Sequence, residues 1–350
     1  MLDQSILEQV KGIFASLKSE ITLNVALAKE NEKTAEMRQF IDEFTSVSDR
    51  LKAEYNEVEG QELRFGLVRD GQPTGISFRG IPNGHEFTSL LLAVLNADGQ
   101  GKNFPDETTQ RRIKALKGNI ALKTYVSLTC TNCPDVVQAL NLKSLINPNI
   151  RHEMIDGGLF QQEVSELGIQ GVPAVYCNGE SLHIGRGDLG ILLQKLEDMV
   201  GSETDDNAEP VEHHHDVIVV GGGPAGASAA IYSARKGLRV AVVAERIGGQ
   251  VNDTTGIENL ISVPQTNGTQ LAADLKAHIG TYPIDIFEHR KLTHVDFSGK
   301  EKSIGVKGRE TFFAPAVIIA TGASWRRLGV ADEEKYIGHG IHFCQHCDGP

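Results

Sequence analysis

The sequence predicts an α/β protein in which a duplicated unit precedes the opening of a doubly wound parallel sheet. The same order of strands and helices occurs twice within residues 1–200, at a shift of roughly 100 residues. After residue 215, a buried-type strand, a glycine-rich turn, a helix and a second buried-type strand follow one another. The segment between them, 201–215, is polar and lacks periodic apolar residues, which predicts a flexible linker.

Composition and charge argue against several functional classes. A chain of 350 residues with 40% hydrophobic residues predicts two or three packed domains. The net charge is −12 and no basic run interrupts it, so we expect no nucleic-acid partner. The N-terminus resembles an amphipathic helix rather than a signal peptide, and no apolar run approaches the ~20 residues of a membrane span. We therefore expect a cytoplasmic protein.

The first copy opens with that amphipathic helix and continues as strands and helices of alternating pattern. The apolar stripe of the helix comprises Ile6, Val10, Ile13, Phe14 and Leu17. The further predicted elements are a strand at 21–27, a helix at 34–47, a strand at 51–58, paired strands at 63–69 and 75–78 around Gly71-Gln72, and a helix from about 85 to 95. The position matching Cys130 of the second copy falls near Glu30, so this copy lacks a cysteine there.

The second copy repeats this order with a CxxC pair in its first turn. The predicted elements are a strand at 120–128, a helix after Cys133, a strand at 150–155, a helix at 160–167, paired strands at 174–177 and 182–184 around Asn178-Gly179, and a last helix from 188. The segment GRGDLG, 185–190, matches G-x-G-x-x-G literally, but it follows a hairpin and leads into the linker. We expect turn residues there, with Asp188 as a helix N-cap.

Four of the five cysteines form two CxxC pairs, Cys130/Cys133 and Cys344/Cys347. Cys130 is predicted to open a helix directly after a strand, where backbone N–H groups and the helix dipole favour a thiolate. Cys133, one turn later, could resolve a mixed disulfide. Pro173 is the candidate cis-proline beside the pair. Half of a zinc site is the alternative, but the second CxxC lies more than 200 residues away.

Two other groups of potential ligands are interpreted as structural. Cys177 lies within a predicted strand, where a free cysteine acts as a small apolar side chain. The run His213, His214 and His215 has no further ligands at suitable spacing, so we predict no metal site.

Gly221, Gly223 and Gly226 match the dinucleotide fingerprint in its expected context, after a strand and before a helix. The glycines permit a tight turn, the approach of a pyrophosphate to the backbone, and close packing of helix and strand. Glu245 ends the next strand, 19 residues after Gly226, where a carboxylate can bind a ribose. The alternative is a glycine turn in an ordinary α/β fold.

Together these motifs resemble the flavoprotein (F) subunit family of bacterial alkyl hydroperoxide reductase. In that family, tandem thioredoxin-like folds, one degenerate and one with an active CxxC, precede a thioredoxin reductase-like body. The resemblance covers essentially the whole chain apart from the linker. It is carried by GHEFTSL (84–90), SLTCTNCPDVVQALN (127–141), GVPAV (171–175), GGGPAGASAAIYSARKG (221–237), GGQ (248–250), ATG (320–322) and CQHCDGP (344–350).

The resemblance implies tandem thioredoxin-like folds followed by a partial Rossmann-like FAD-binding domain. The expected domains are a non-redox copy at 1–115, the CxxC copy at 116–200, the linker at 201–215, the first part of the FAD-binding domain at 216–335, and the start of a truncated NAD-binding domain at 336–350. The strand 317–320 before Thr321 is expected to be buried. The implied FAD ligands are Gly221, Gly223, Pro224, Ala225, Gly226, Glu245, Gly249, Gln250, Thr321 and Gly322.

The resemblance further implies an NADH-dependent electron relay to a peroxiredoxin, the C component of alkyl hydroperoxide reductase. Electrons would pass from NADH to FAD and then to a Cys344–Cys347 disulfide, with Cys347 nearer the flavin, Cys344 as the interchange thiol and Asp348 as the proton donor or acceptor. Cys130 would then attack the partner disulfide, and Cys133 would resolve it. A homodimer through the flavin domain is implied for the complete protein, and NADH binding only for that longer parent.

Glu86 has two interpretations. The resemblance implies that it faces the CxxC pair as a proton acceptor, whereas a carboxylate in the first turn of a helix is also favoured by the helix dipole alone.

Two further functional alternatives stay open from the residues. The chain as given could be a thiol–disulfide carrier without competent flavin reduction, or a non-catalytic metal-binding or docking protein.

Overall fold

The computed structural model describes residues 3–101, 103–203, 210–254 and 256–323, together with 326, 328–330, 333 and 341. The chain divides into two compact units, Met1–Thr204 and Asp205–Pro350. The elements of both units confirm the predicted α/β class. None of the helices in these ranges is both long and apolar enough to cross a bilayer.

The first unit contains both copies of the repeat. Its elements are α1 (Gln4–Phe14), β1 (Ile21–Ala28), α2 (Thr34–Thr45), β2 (Leu51–Val58), β3 (Leu63–Arg69), β4 (Gln72–Arg79), a 3₁₀-helix (Gly84–Glu86), α3 (Phe87–Ala97), α4 (Glu107–Lys114), β5 (Ile120–Val126), α5 (Cys133–Ile146), β6 (Ile150–Asp156), α6 (Gln161–Glu166), β7 (Ala174–Cys177), β8 (Glu180–Ile184) and α7 (Leu189–Val200). The elements β5, α5 and β6 each begin 99 residues after β1, α2 and β2. The position equivalent to Cys130 is then Asn31, next to the predicted Glu30.

The two copies share one continuous sheet, which the sequence did not predict. Its strand order is β2-β1-β3-β4-β6-β5-β7-β8. The copies join where β4 pairs in parallel with β6, with Ile76 opposite His152 and Arg79 opposite Ile155. This pairing removes one exposed strand edge from each copy, because the backbone groups of β4 and β6 bond to each other instead of to water.

Tight turns set the register of both hairpins. In the second copy, Asn178 and Gly179 have φ of 51° and 89°, as the sequence predicts. In the first copy the left-handed pair is Asp70 and Gly71, with φ of 46° and 78°, so β4 begins one residue after Gly71. An Asp-Gly or Asn-Gly pair tolerates this conformation, which suits the twist of the strands it joins.

The predicted apolar stripe of α1 is only partly buried. Val10 and Phe14 are buried in the core, and the Phe14 ring packs edge-on against Phe44 with centroids 5.7 Å apart. Ile13, which belongs to the same stripe, is 42% exposed. Ile13 and Phe14 lie at the i+3 and i+4 positions from Val10, and the core accommodates the larger ring.

The second unit contains two four-stranded sheets. Its elements are β9 (Val211–His214), β10 (Val217–Gly222), α8 (Pro224–Ala234), β11 (Val240–Ile247), a 3₁₀-helix (Gly249–Asp253), α9 (Gly268–Ile279), β12 (Ile284–Phe287), β13 (Leu292–Asp296), β14 (Lys302–Val306), β15 (Glu310–Ala314) and β16 (Ala316–Ile319). One sheet is parallel, with the order β12-β11-β10-β16, and the other has the order β13-β14-β15-β9. The parallel sheet is the predicted doubly wound opening.

Two expectations about the second unit are wrong. The predicted linker is not irregular throughout, because β9 pairs in parallel with β15 over Val211–His214. The His213 ring stacks on Phe312 with centroids 4.7 Å apart, and its Nε2 lies 3.3 Å from the Glu310 carboxylate. The expected burial of the strand before Thr321 also fails. Strand β16 is at the edge of its sheet in the described chain, and Ile319 is 66% exposed.

Candidate active site

The CxxC pair lies in the turn between β5 and α5. The helix begins at Cys133 with Asn132 as its N-cap, so Cys130 precedes the helix rather than opening it as predicted. The backbone N–H of Cys130 donates to the Ser127 carbonyl at 2.9 Å, which closes the turn. Cys133 is fully buried, whereas Cys130 is only partly buried. The Cys130 thiol is therefore the more accessible of the two to a partner disulfide.

The segment before β7 forms one wall of this turn. The Val172–Pro173 peptide bond is cis, as its sequence context predicts. The Cys130 Sγ lies 3.8 Å from the Val172 carbonyl oxygen. The structure thus brings together Cys130, Cys133 and Pro173, which the sequence had selected from separate motifs.

Glu86 of the first copy is the next predicted site residue. Its side chain is fully buried, and within the described chain neither carboxylate oxygen has a hydrogen-bond partner. Burial raises the pKa of Glu86 to about 7; the nearby Ser89 hydroxyl opposes this rise and the charge of Asp135 adds to it. Since an uncompensated buried carboxylate is costly, Glu86 is protonated far more readily than an exposed glutamate.

The buried thiol responds to this carboxyl group. Burial raises the pKa of Cys133, and the hydrogen bond with Cys130 and the charge of Glu86 raise it further, against a weaker opposing contact from the Ser127 backbone. Cys133 is thus held as a thiol at neutral pH, so it needs a proton acceptor before it can attack. The Glu86 carboxylate is close enough for its charge to act on this thiol.

The turn at Gly84, just before Glu86, contacts the segment that leads into the CxxC turn. Gly84 has φ of 58°, and a Cβ there would lie 2.4 Å from the Leu128 carbonyl oxygen. The same carbonyl accepts a hydrogen bond from the His85 N–H at 3.1 Å. The segment before Cys130 is therefore tied directly to the turn before Glu86. Sequence reasoning missed Gly84 and Leu128; the Gly-His-Glu run at a helix start was the available signal.

A second candidate site lies around the glycine-rich turn after β10. Gly221 has φ of 113°, and a Cβ there would lie 2.2 Å from the Ala320 carbonyl oxygen. A Cβ on Gly226 would lie 1.9 Å from the Gly221 carbonyl oxygen. At Gly223 the nearest atom to such a Cβ, the Gly248 carbonyl oxygen, is 3.9 Å away, so this position has open space beside it. Gly221 and Gly226 thus have the tight turn and the close packing that the fingerprint predicts, and Gly223 has the open space that its predicted role requires.

The helix after this turn presents its N-terminus to the open space. Gly223 is the N-cap of α8, so no side chain caps the first N–H groups of this helix. Pro224 and Ala225 follow at the exposed start of the helix. An uncapped helix N-terminus reached over glycine suits the pyrophosphate of a dinucleotide.

Two further segments meet the glycine turn. The Gly248 N–H donates to the Gly222 carbonyl at 2.8 Å, and a Cβ on Gly249 would approach the Gly223 Cα to 3.2 Å. The Ala320 N–H donates to the Val220 carbonyl at 2.8 Å, so the chain enters Thr321 and Gly322 beside Gly221. Gln250, Thr321 and Gly322 are exposed.

Glu245 completes this group of residues. It is exposed near the end of β11, and its backbone carbonyl accepts a hydrogen bond from the His289 N–H at 3.0 Å. Its side chain therefore stays accessible to a ribose hydroxyl. The glycine cradle, the uncapped helix and this carboxylate fit the pyrophosphate and ribose of FAD.

The remaining predicted residues lie elsewhere. Cys344, Cys347 and Asp348 are outside the described residues. In the part of the chain that the structure describes, no group of three or more His, Cys, Asp or Glu side chains is arranged to hold a metal ion. His215 lies 2.9 Å from the Asp285 carboxylate and His213 contacts Glu310, so both contribute to the structure of the second unit.

Comparison with known proteins identifies the family. The model of the pyridine nucleotide-disulphide oxidoreductase family matches residues 215–350, and a thioredoxin domain model matches 120–196. The F component of alkyl hydroperoxide reductase from Staphylococcus aureus strain NCTC 8325 is 42% identical over 350 residues, which are 100% of this chain and 67% of the relative.

The chain belongs to the family of the flavoprotein (F) component of alkyl hydroperoxide reductase. A Bacillus subtilis protein named NADH dehydrogenase is also 42% identical over 350 residues, with the same coverage. The crystal structure of the NTD_N/C domain of this reductase from Enterococcus faecalis V583 is 33% identical, with a TM-score of 0.52, over 56% of this chain and 100% of that one. Membership confirms the tandem thioredoxin-like and Rossmann-like fold class and a flavoprotein disulfide oxidoreductase.

Proposed function

We propose that the chain passes electrons derived from NADH, through FAD and two CxxC pairs, to the disulfide of a peroxiredoxin that reduces alkyl hydroperoxides. The observation that carries this proposal is the asymmetry of the first pair. Cys130 is accessible and lies beside the Val172 carbonyl, whereas Cys133 is buried next to Glu86. One cysteine can therefore attack a partner, and the other can only attack within the chain.

The exchange reaction follows from this asymmetry. The Cys130 thiolate attacks one sulfur of the partner disulfide, and the second partner sulfur leaves as a thiolate. Cys133 then gives its proton to Glu86 and attacks the Cys130 sulfur. This breaks the mixed disulfide, releases the first partner sulfur as a thiolate and leaves Cys130–Cys133 oxidised. Two electrons pass from the pair to the partner, and the Cys344–Cys347 pair, with Asp348 as its acid or base, restores the dithiol.

The second unit would bind FAD through the residues that form its cradle. Gly221, Gly223, Gly226 and the start of α8 at Pro224 and Ala225 would hold the pyrophosphate, and Glu245 would hold the ribose. Gly249, Gln250, Thr321 and Gly322 line the neighbouring segments. When bound, FAD supplies two-electron transfer between NADH and a disulfide.

The proposal includes the organisation of the protein. The ranges 1–115 and 116–200 form the inactive and active copies, 216–335 forms the first part of the flavin domain, and 336–350 opens the NAD-binding domain. The linker between the units allows the first CxxC pair to meet the second pair and the peroxiredoxin in turn. We place the activity in the cytoplasm, where thiols stay reduced, and in a homodimer formed through the flavin domain.

Two measurements test the function. In the protein extended to the full length of its relatives, Cys130→Ser should abolish NADH-driven reduction of a peroxiredoxin and leave flavin reduction by NADH intact. Loss of flavin reduction in that variant would contradict the relay order. Titration of FAD into the 350-residue chain should give saturable binding. Absence of binding would leave a thiol–disulfide carrier as the function of this chain.

A further inference from the structure

The polar side chains on the facing surfaces of α3 and α5 form a pattern that thiol exchange alone does not explain. Glu86 and Ser89 are three residues apart at the start of α3, and both are buried. Asp135 and Gln138 are three residues apart at the start of α5. Side chains at this spacing lie on the same face of a helix.

A hydrogen bond aligns the two pairs. The Gln138 Nε2 donates to the Ser89 hydroxyl at 3.4 Å. Ser89 of the first pair therefore lies opposite Gln138 of the second pair. The first members, Glu86 and Asp135, lie at the N-terminal ends of the two helices, Glu86 as the N-cap of α3 and Asp135 in the first turn of α5. Glu86 is buried without a hydrogen-bond partner among the described residues, and Asp135 is exposed.

We propose that Asp135 is a positioning residue for thiol–disulfide exchange, whose negative charge favours transfer of the Cys133 proton onto the buried Glu86 carboxylate. This inference rests on the proposed function. The proton leaves the Cys133 sulfur as that sulfur attacks Cys130, and it is held on Glu86 until solvent removes it. Asp135 does not take part in covalent chemistry. It makes the carboxylate of Glu86 a stronger base, so that proton transfer is matched to neutral pH.

The charges around the two acids are few. Among the described residues, the titratable groups that interact with Glu86 are Asp135 and Cys133 on α5, and His85 precedes it in the chain. Cys130 acts on Cys133, and α3 itself contributes no charged side chain. Near Asp135 lie Arg186 and Asp188, from the turn before α7. Although the Asp135 side chain is exposed, desolvation by the protein atoms around its carboxyl group raises its pKa; Arg186 opposes this rise, and Asp188 adds to it. Arg186 and Asp188, both in the GRGDLG turn, therefore shift the pKa of Asp135 in opposite directions.

The resolving step can be observed alone. The experiment uses the 350-residue chain with Cys344→Ser and Cys347→Ser, reduced and then mixed with excess 5,5′-dithiobis(2-nitrobenzoate) between pH 5 and pH 9. The first equivalent of thionitrobenzoate reports the attack by Cys130. The second equivalent reports the attack by Cys133 and is independent of reagent concentration. The rate of this second phase should rise with pH around a midpoint set by Glu86.

Variants of Asp135 then test whether its charge affects the pH midpoint of the second phase. Asp135→Asn should move it to lower pH by about half a pH unit, the size expected for two carboxylates coupled across a partly exposed site. Asp135→Lys should move it further in the same direction, and Asp135→Glu should leave it in place. Glu8→Gln is the matched control, because Glu8 is an exposed acid on α1 of the same unit and its loss should change nothing.

A double-variant comparison separates this role from a direct effect on the thiols. In a Glu86→Gln background the midpoint should disappear, and Asp135→Asn should then have no effect on the second phase. An unchanged midpoint in Asp135→Asn, or a shift that persists without Glu86, would overturn the role of Asp135. A midpoint that survives Glu86→Gln would overturn the proton-acceptor role of Glu86. Absence of any second phase would contradict the proposed exchange itself.

Discussion

At the scale of single residues, the first unit contains ionisable side chains in places where charge is costly. Glu86 is buried beside the redox pair, and its pKa is raised to about 7. Lys143 is buried under α7, and burial, aided by the charge of Arg112, lowers its pKa to about 7 against the opposing effects of Asp188 and Glu197. The two groups should therefore make the stability of the unit depend on pH in opposite directions.

Glu86→Gln should remove the contribution of Glu86 to the pH dependence of the stability of the first unit. Because the pKa of Glu86 is raised on folding, its contribution to stability is present below pH 4.5 and is lost as the pH rises through about 7. The variant should match the original chain at pH 4.5 and exceed it at pH 9 by up to roughly 3 kcal/mol. Urea unfolding at both pH values measures the difference. An equal free energy of unfolding at pH 9 would show that Glu86 is not buried as described.

Lys143→Met should have the opposite pH dependence. The Lys143 Nζ donates to the Leu189 carbonyl at 3.0 Å. Since its pKa is lowered from 10.5, its cost develops as the pH falls from 10.5 through about 7. An apolar side chain of similar volume should stabilise the unit at pH 6 by on the order of 1–3 kcal/mol and by less at pH 10. Greater stabilisation at pH 10 than at pH 6 would contradict this assignment.

At the scale of elements, two glycines of the glycine-rich turn should affect different properties, one the stability of the second unit and the other ligand binding. Backbone atoms surround the position of a Cβ on Gly226, whereas such a position on Gly223 has open space beside it. Gly226→Ala should push α8 away from β10 and lower the melting temperature of the second unit, and FAD binding should be lost with it. Gly223→Ala should leave the melting temperature unchanged and still weaken FAD binding, because the added methyl group occupies the space for the pyrophosphate.

Calorimetry and flavin titration of the two variants provide the measurement. Equal effects of both substitutions on melting would show that the turn has no open side. Unchanged FAD affinity in Gly223→Ala would place the pyrophosphate elsewhere. The Gly223 variant also serves as the matched control for the Gly226 variant, because both add a single methyl group within the same turn.

Local patterns in the sequence predicted most elements, and the errors occur where partners distant in sequence decide the structure. The turn at Asn178-Gly179 and the N-cap at Asp188 follow from local residue preferences, and the structure has both. The strand at Val211–His214 has a polar, histidine-rich sequence. Its pairing with β15, almost 100 residues later, cannot be deduced from local pattern. The electrostatic effect of Glu86 on Cys133 likewise depends on how α3 packs against α5, so the residues alone left the role of Glu86 open.

At the scale of the whole first unit, one shared sheet joins the first and second copies of the repeat. The junction between β4 and β6 lies at its centre. Sequence repetition predicted two similar halves but not this pairing, because β4 and β6 have no counterparts that pair in the same way within one copy. The first copy therefore contributes Glu86 and also half of the sheet that supports the CxxC turn of the second copy.

Ser77→Pro should test whether the two halves unfold together. Ser77 lies opposite Glu153 in the junction, where proline removes a backbone donor from a central strand. Hydrogen exchange should become faster in β1 and in β5 alike, because both belong to one cooperative sheet. Faster exchange confined to the first copy would show that the halves are independent. A proline at Lys52 in the edge strand β2 is the comparison variant and should disturb the sheet less.

The strand β9 also shortens the tether between the two units. The Glu203 N–H donates to the Ala115 carbonyl on one side, and the Val211 N–H donates to the Arg309 carbonyl on the other. Only residues 204–210 lie between these anchors, so the Cα atoms of Glu203 and Val211 can be at most about 28 Å apart. In the proposed relay, a tether of this length would keep the effective concentration of one CxxC pair at the other in the millimolar range, and each inserted residue would lower that concentration.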